Sequence, residues 1–261
     1  MFKGLFTAST GMEAQQTRIA VIANNIANTN TTGFKTSRAE FQDLVYQTFQ
    51  APGAEAAAGQ NKTAGIQVGT GVQVVSTQMQ FIQGALETTG RQLDVAINGK
   101  GFIQVQLPNQ ELAYTRAGSL AIDNTGALVT QDGYPVQPAV SLTPEATNRT
   151  IGTNGTITET IPGSTPNVIG NAIQIFTFPN ETGLEQVGKN LYRETVSSGA
   201  GTQNVAGENG AGSLQQGFLE SSNVNIAEEL VRMIMAQRAY ELNGKVIQTS
   251  DQMLASTTQL R

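Results

Sequence analysis

The 261-residue sequence has no cysteine, no histidine and no tryptophan. Without cysteine, disulfides and thiolate metal sites are excluded, and the fold must be held by packing alone. Without histidine, the usual general base at neutral pH and the commonest metal ligand are both missing. Aromatic residues reach only 6%, which leaves little to line a sugar groove beside a carboxylate pair. Charge is scarce too. Asp, Glu, Lys and Arg make up 13% of the chain, about half the share usual in soluble proteins. The polar surface must therefore come mostly from Gln, Asn, Thr, Ser and Gly. Such a surface suits an ordinary neutral protein, or a subunit largely covered by copies of itself, where each buried charge would need a partner. The net charge is −5, and Lys and Arg are scattered, so the basic stripe that nucleic acid demands is missing. No window approaches 18 apolar residues, which excludes a membrane-spanning helix. The N-terminal Met1-Phe2-Lys3-Gly4-Leu5-Phe6 starts no secretory signal, because Gln15, Gln16 and Arg18 interrupt the apolar residues too soon. A cytoplasmic protein, or one exported without a cleaved signal, is expected.

Motifs for bound phosphate fail. Gly84 to Arg91 has the wrong spacing for a P-loop and lacks its Lys-Ser/Thr pair, and Gly99-Lys100-Gly101 leads to Gln104 where a dinucleotide fingerprint needs glycine. Asp123-Asn124-Thr125-Gly126 and Asp132-Gly133 lack the ligand order of a calcium loop and read as turns, where Asp and Asn bond their own backbone. No catalytic, metal or cofactor residue is assigned, and neither a cofactor nor a small-molecule substrate is expected.

What is present is a chain with two similar ends and a different middle. In residues 1 to about 28, Leu5, Met12, Ile19, Ile22 and Ile26 recur at helical spacing. The segment reads as an amphipathic helix that erodes at Asn24, Asn25, Asn28 and Asn30 and ends at Gly33. Near the other end, Ile226, Met233, Tyr240, Ile247 and Leu254 recur every seven residues. Leu230 and Ile234 widen that seam early, and Val246 and Met253 widen it late. Ser222 or Asn223 is the expected cap, with Glu228 and Glu229 in the first turn. The companion heptad row Gln237, Gly244, Asp251 and Thr258 is polar or small, which a self-contained coiled coil would not choose. These are either ordinary helices packed on the middle, or terminal helices that pair with each other and with neighbouring molecules.

The middle reads as β structure. Leu93, Val95 and Ile97 alternate, Asn98-Gly99 signals a hairpin turn, and Ile103, Val105 and Leu107 return. Leu120 and Ile122 lead through Asp123–Gly126 to Leu128 and Val129. Ile173, Ile175 and Phe176 form a strand that stops at Pro179. A partly closed antiparallel sheet is expected. The stretch from Ala51 to Gly65 reads as a loop or a long hairpin tip, and Ser197 to Gly212 as a loop. The expected class is α+β, with long terminal helices paired as a coiled-coil-like inner domain. The expected divisions are residues 1–30, a connecting segment at 31–72, a β-rich domain at 73–216, and a last helical part at 217–261.

Four blocks carry a resemblance. Ala23-Asn24-Asn25-Ile26-Ala27-Asn28 with Gly33-Phe34-Lys35 resembles the motif that ends the first helix in the flagellar rod and hook family. Leu93 through Phe102 resembles that family's first core hairpin. Tyr114-Thr115-Arg116-Ala117-Gly118 with Asp132-Gly133-Tyr134-Pro135-Val136 resembles its next strands, and Gly217-Phe218-Leu219-Glu220-Ser221-Ser222-Asn223-Val224 resembles the approach to its last helix. The chain has no room for the extra outer domain of hook members. Its Phe41 to Gln47 stretch and following insertion, including Tyr46, Pro52, Gly53 and Gly65, look like the rod-stiffening segment of distal-rod members.

The resemblance implies a structural, non-enzymatic subunit of a hollow helical drive shaft that crosses the periplasm. It implies export through the flagellum's own type III channel. It implies a homo-oligomeric polymer with proximal rod subunits, hook subunits and outer ring bushing proteins as partners. In the polymer the two apolar seams would be the self-assembly residues, and Asn24, Asn25 and Asn28 would tie the first helix to the next segment of chain or to the last helix. Competing readings are a proximal rod subunit, a β-rich surface adhesin on a helical stalk, and a periplasmic small-molecule-binding protein. An adhesin stalk would place sustained heptads in one region, and a periplasmic binder would normally carry a cleaved signal.

Overall fold

The structure, a computed structural model, describes residues 2–50, 55–57, 60–61, 64–143, 145–162, 166–169 and 171–259. Packing divides the chain into two units. One consists of Met1–Ala27, Ser37–Gln78 and Asn225–Arg261, the other of Asn28–Thr36 and Met79–Val224. The chain thus leaves the first unit after its first helix, returns to it, and returns again at its end. The expected boundary at residue 72 falls at the start of a strand, Val72–Met79.

In the first unit, helix α1 spans Phe2–Ala27 and helix α2 spans Ile226–Gln259. They pack antiparallel, with Gly11 against Asn243 and Asn25 against Glu229. The cap of α2 is Asn225, not Ser222 or Asn223: its Oδ1 accepts from the amides of Ala227 at 3.1 Å and Glu228 at 3.4 Å. That satisfies donors the helix start leaves open. Asn223 is engaged elsewhere, accepting from the Thr36 amide and donating to the carbonyls of Gln80 and Ile82.

The helix seam is built from small side chains. Ala8, Ala14, Ile22 and Asn25 are buried on α1, and Glu229, Ala236 and Ser250 on α2. A Cβ on Gly11 would lie 2.8 Å from the Asn243 amide nitrogen, so glycine sets the close approach there. Of the expected seam, Ile22 is buried. Leu5, Met12, Ile19, Ile26, Met233, Ile247 and Leu254 are half-buried, and Ile226, Leu230, Ile234 and Tyr240 are exposed. Leu230, Ile234, Val246 and Met253 therefore do not widen the seam. The row that accompanies Met233, Ile247 and Leu254 is Glu229, Ala236, Asn243 and Ser250, whereas Gln237, Gly244 and Asp251 are not buried. The side chain of Thr258 lies outside the described residues.

The rest of this unit is an antiparallel ribbon. Strand Ser37–Asp43 pairs with Val72–Met79, and Tyr46–Gln50 pairs with Ile66–Gly69 in the register Tyr46↔Gly69 and Gln47↔Val68. Val45, Tyr46, Phe49, Ile66 and Val68 are exposed on it. Lys3 of α1 reaches the ribbon, bonding Gln47 and lying 4.4 Å from the centre of the Phe49 ring.

In the second unit the largest sheet among the described residues has five strands. Their order is Val136–Gln137, Ile103–Gln106, Leu112–Thr115, Leu191–Arg193 and Glu185–Gly188. Smaller pairings surround it, so the β structure is several short ladders and not one partly closed sheet. The turn expected at Asp123–Gly126 joins Leu120–Ile122 to Leu128–Thr130, with Gly126 at φ 82°. The hairpin expected across Asn98-Gly99 does not form. Val95–Asn98 pairs with Ser213–Gln216 instead. Gly99 and Gly101 take φ of 118° and 125°, which carries the chain out of one ladder and into another. Part of the expected loop at Ser197–Gly212 is also ordered differently. Thr202–Asn204 pairs with Ile175–Thr177, and Ala206 and Ala211 join the core.

That core gathers Val95, Ile97, Ile103, Val105, Leu120 and Leu128 with Ile157, Ile173, Ile175 and Leu214. An aromatic cluster of Phe102, Tyr114, Phe176, Phe178 and Tyr192 forms beside it. Gly118 fixes how closely two segments pass. Its carbonyl accepts from the Val95 amide at 2.9 Å, and a Cβ there would overlap the Val95 carbonyl oxygen. Gly118→Ala should therefore destabilise this unit by about 1–3 kcal/mol through forced backbone movement. Thermal unfolding followed by circular dichroism checks this, and an unchanged midpoint would remove the close-packing role.

Candidate functional site

Three arrangements stand out, each within a single unit. The first is a buried charge cluster in the second unit. Lys35, Arg116 and Glu220 come from residues far apart in sequence, and all three are buried. Lys35 Nζ donates to Glu220 Oε1 at 2.6 Å and to the Ile82 carbonyl at 2.7 Å. Arg116 Nε donates to Glu220 Oε2 at 2.9 Å, and its other nitrogens donate to the carbonyls of Gly101 at 3.2 Å and Gly99 at 2.9 Å. Glu220 Oε1 also accepts from the Gly84 amide at 3.0 Å. Two cations share one carboxylate, and the surplus positive charge falls on backbone carbonyls. This explains the Gly99–Gly101 turn: its carbonyls face inward onto a guanidinium.

The electrostatics reflect this geometry. Burial pulls Lys35 below its ordinary value, Arg116 pulls the same way, and Glu220 opposes them. Burial pushes the Glu220 carboxyl up, but Arg116 and Lys35 outweigh it and hold the group below its ordinary 4.5. Nearby, burial pushes the Tyr192 hydroxyl up to about 12, so it stays neutral. Gly33 and Phe34 complete the cluster's frame. The Gly33 amide donates to the Glu220 carbonyl at 2.8 Å, and its φ of 71° places it where a Cβ would lie 2.9 Å from the Ala117 nitrogen.

The second arrangement, in the first unit, centres on Asn25. Its Oδ1 accepts from the Ser37 amide at 3.0 Å, and its Nδ2 donates to the Ser37 carbonyl at 2.9 Å and to Glu229 Oε2 at 3.2 Å. One side chain thus fastens the end of α1 both to the following strand and to α2. Glu229 in turn accepts from Arg232 at 2.8 Å. Asn28 accepts from the Thr31 hydroxyl at 3.2 Å, closing the turn after α1. Asn24 is exposed.

The third arrangement is an apolar surface on the helices and ribbon. Phe6 is 71% exposed, Ile234 57%, Met235 61% and Leu242 61%. Val231, Ile234, Met235 and Leu242 follow one another at helical spacing on the side of α2 away from α1. In the ribbon, Tyr46 is exposed and Gly65 is half-buried. Pro52 and Gly53 lie outside the described residues.

Sequence reasoning does not mark Arg116, Glu220 and Glu229 as site residues. The signal that points to them is compositional. In a chain so poor in charge, charges embedded in apolar motif blocks are candidates for buried pairing.

These parts hold a fixed core and leave a helix pair with uncovered apolar surface, which defines a structural subunit built for packing. Comparison with known proteins gives the particular family. Three family models match: a flagella basal body rod protein model over residues 5–35, a flagellar hook protein FlgE/F/G D1 domain model over 96–159, and a flagellar basal body rod FlgEFG protein C-terminal model over 215–260. The flagellar basal-body rod protein FlgG of Buchnera aphidicola subsp. Schizaphis graminum is 48% identical over all of both chains. The FlgG proteins of Caulobacter vibrioides and Bacillus subtilis are 47% and 41% identical, covering 99% and 100% of each chain. The chain belongs to the family of flagellar basal-body rod proteins FlgG, as a structural subunit of the rod. As a rod component of the basal body, it assembles with other rod and hook proteins.

The charge cluster sets an acid limit. Because Glu220 is held below 4.5 in the fold, its stabilising contribution is complete above that pH and is lost as pH falls through the lower folded-state value. The lowered Lys35 value acts at the alkaline end, where stability rises as pH climbs toward 10.5. Glu220→Gln should cost about 3–5 kcal/mol by leaving two buried cations without a carboxylate, and should flatten the acid limb. Denaturant unfolding across pH measures both. A variant with wild-type stability and an unchanged acid limb would refute the cluster's role.

Proposed function

We propose that this chain forms the distal part of the rod, polymerising into a hollow helical shaft that carries torque to the hook and catalyses no reaction. A head-to-tail contact whose rotation does not close generates an open helix of identical contacts. The observation that carries the reading is the helix pair: its seam is small and polar, while Phe6, Leu230, Ile234, Met235 and Leu242 remain exposed. Each such side chain contributes about 1.5–3 kcal/mol when fully covered, so neighbours and not the subunit itself supply the missing stabilisation. The self-assembly surface would be the helix pair, with the half-buried Leu5, Met12, Ile19, Ile26, Met233, Ile247 and Leu254 and the exposed Ile226 and Tyr240, Ile22 being already covered within the subunit. The proximal rod subunits would meet one end, the hook subunits the other, and the outer ring bushing proteins the side. The shaft would lie in the periplasm.

Two measurements test this. Isolated helices of weak seam are marginal, so hydrogen exchange on dilute monomer should be rapid in α1 and α2 and slow in Ile103–Gln106 and Leu112–Thr115, with the helices becoming protected on assembly. Slow exchange throughout both helices of a proven monomer would overturn folding on assembly. The segment from Tyr46 to Gly65 would supply an additional contact between axial neighbours that blocks sliding. Deleting it should give flexible, curved, hook-like tubes when viewed by electron microscopy, and straight, equally stiff tubes would reject that role.

A further inference from the structure

The sequence contains four Asn-Gly pairs: Asn98-Gly99, Asn154-Gly155, Asn209-Gly210 and Asn243-Gly244. In such a pair the glycine nitrogen can attack the asparagine side-chain carbonyl carbon, because no Cβ on the following residue obstructs the approach. We propose that Asn209 is a site of spontaneous covalent modification, losing its amide to become aspartate and isoaspartate, while the fold shields the other three pairs. The site lies wholly within the second unit and requires no neighbouring subunit.

The chemistry balances with water alone. The Gly210 amide gives its proton to water or hydroxide, and its nitrogen forms a bond to Asn209 Cγ. The Cγ–Nδ2 bond breaks, and the side-chain nitrogen takes a proton from solvent and leaves as ammonia. Water then opens the five-membered imide. Cleavage at Cγ gives aspartate, and cleavage at the main-chain carbonyl gives isoaspartate, with the backbone rerouted through Cγ. The first step needs an N–H that is not committed to an acceptor, since a hydrogen bond to it must otherwise be broken first. It also needs open space for the ring.

The four pairs differ in both respects. The Gly99 amide donates to Gln83 Oε1 at 3.0 Å, while Gln83 Nε2 donates to the Ile97 carbonyl at 3.2 Å and to Asn98 Oδ1 at 3.4 Å. One glutamine thus holds both reacting groups. The Gly155 amide donates to the Gly152 carbonyl at 2.9 Å, Asn154 Oδ1 accepts from the Thr156 hydroxyl at 2.7 Å, and a Cβ on Gly155 would lie 2.2 Å from the Ile173 carbonyl oxygen. Asn243-Gly244 lies inside α2, where the helical ladder takes up the amide. At Asn209-Gly210 both residues are exposed. They take φ of 50° and 79° in a turn that the Ala211 amide closes on the Glu208 carbonyl at 2.8 Å. Among the described residues the Gly210 amide meets no acceptor, and a Cβ on Gly210 would meet nothing within 4 Å. Asn209 Nδ2 reaches Asn204 Oδ1 at 3.4 Å, near the long limit of a hydrogen bond. Bringing nitrogen and Cγ together requires local opening of the turn, which exposed loop tips undergo at low free energy.

The product sets a carboxylate directly after Glu208, and the net charge passes from −5 to −6 as one neutral amide becomes ionised. The isoaspartyl form also lengthens the backbone between Glu208 and Ala211, beside the buried Ala206 and Ala211.

The full chain is aged in mildly alkaline buffer, digested under acidic conditions and mapped by mass spectrometry, with isoaspartate scored by enzymatic methylation. A sample in denaturant is aged alongside. In the folded chain Asn209 should convert roughly tenfold or more faster than the other three, a barrier difference of about 1.4 kcal/mol, whereas all four should convert in the denatured chain. Conversion of Asn98, Asn154 or Asn243 as fast as Asn209 in the folded chain would overturn the site. So would an intact Asn209 in the folded chain while the denatured sample converts. Gln83→Ala, checked for folding by circular dichroism, frees the Gly99 amide and should add Asn98 as a second converting position. A folded variant whose Asn98 stays intact would show that a committed amide is not what protects these pairs, and the proposal would fall.

Discussion

Much of the second unit hangs on the Glu220 carboxylate. It receives Lys35, Arg116 and the Gly84 amide, while the Glu220 carbonyl receives the Gly33 amide. Segments near residues 33–35, 84, 99–101, 116 and 220 therefore meet at one point. Such a cluster is a weak source of net stability, because the desolvation of three charges offsets most of their attraction. Its effect is on specificity. The surrounding ladders are only two to five strands wide, and many of the strands have only three or four residues, so slippage in register would cost few backbone bonds. A guanidinium with fixed donor directions, satisfied by one carboxylate and two carbonyls, tolerates far fewer arrangements. The cluster thus selects which short segments come together.

The helix pair obeys the opposite logic. Its seam gains little from burial, since the fully covered residues are mostly Ala, Asn, Glu and Ser. Small residues allow close approach, and Asn25 and Glu229 define the alignment at one end. Most of the large apolar side chains of α2 face outward. Ordering each residue costs about 1–2 kcal/mol of backbone entropy, and a seam of this kind returns too little to hold both helices rigidly. In the proposed polymer, contacts with other copies would add the remainder. The pair is specified in geometry yet left open in energy, so in the proposed polymer assembly would decide when it becomes rigid.

The parts legible in the sequence are those governed by neighbours in sequence. Heptad spacing places α1 and α2, and the turn at Asp123–Gly126 arises from residues that accept its backbone conformation. Legibility fails where the deciding partner is distant. Val95–Asn98 alternates as a hairpin strand should, but its partner is Ser213–Gln216, because Arg116 holds the intervening turn open. Ser222, Asn223 and Asn225 are all good caps. Only the capture of Asn223 by Thr36, Gln80 and Ile82 leaves Asn225 for α2. The seam residues Leu230 and Ile234 fit the period equally well, but local spacing cannot say which side of α2 the small residues of α1 will choose. Lys35 shows the same limit for charge, since a lysine after Gly33-Phe34 carries no local sign that it will be buried.

The scarcity of charge connects these observations. Where charge is retained, much of it is paired in the second unit, as in Arg149 with Glu159 and in the Glu220 cluster. Its work there is internal and complete. On the helices the pattern is mixed: Arg232 pairs with Glu228 and Glu229, and Arg238 with Glu241, while other charges stand alone. Arg18, Glu13 and Asp251 have no ionic partner among the described residues, and exposed Val246 and Met253 lie near Asp251 on α2. A lone charge at the edge of an apolar face opposes indiscriminate association, because covering it without a partner carries a desolvation penalty. The same charge favours the one alignment that supplies the partner. An axial polymer needs this, because its subunits must reject many nearly equivalent slides along parallel helices and keep one.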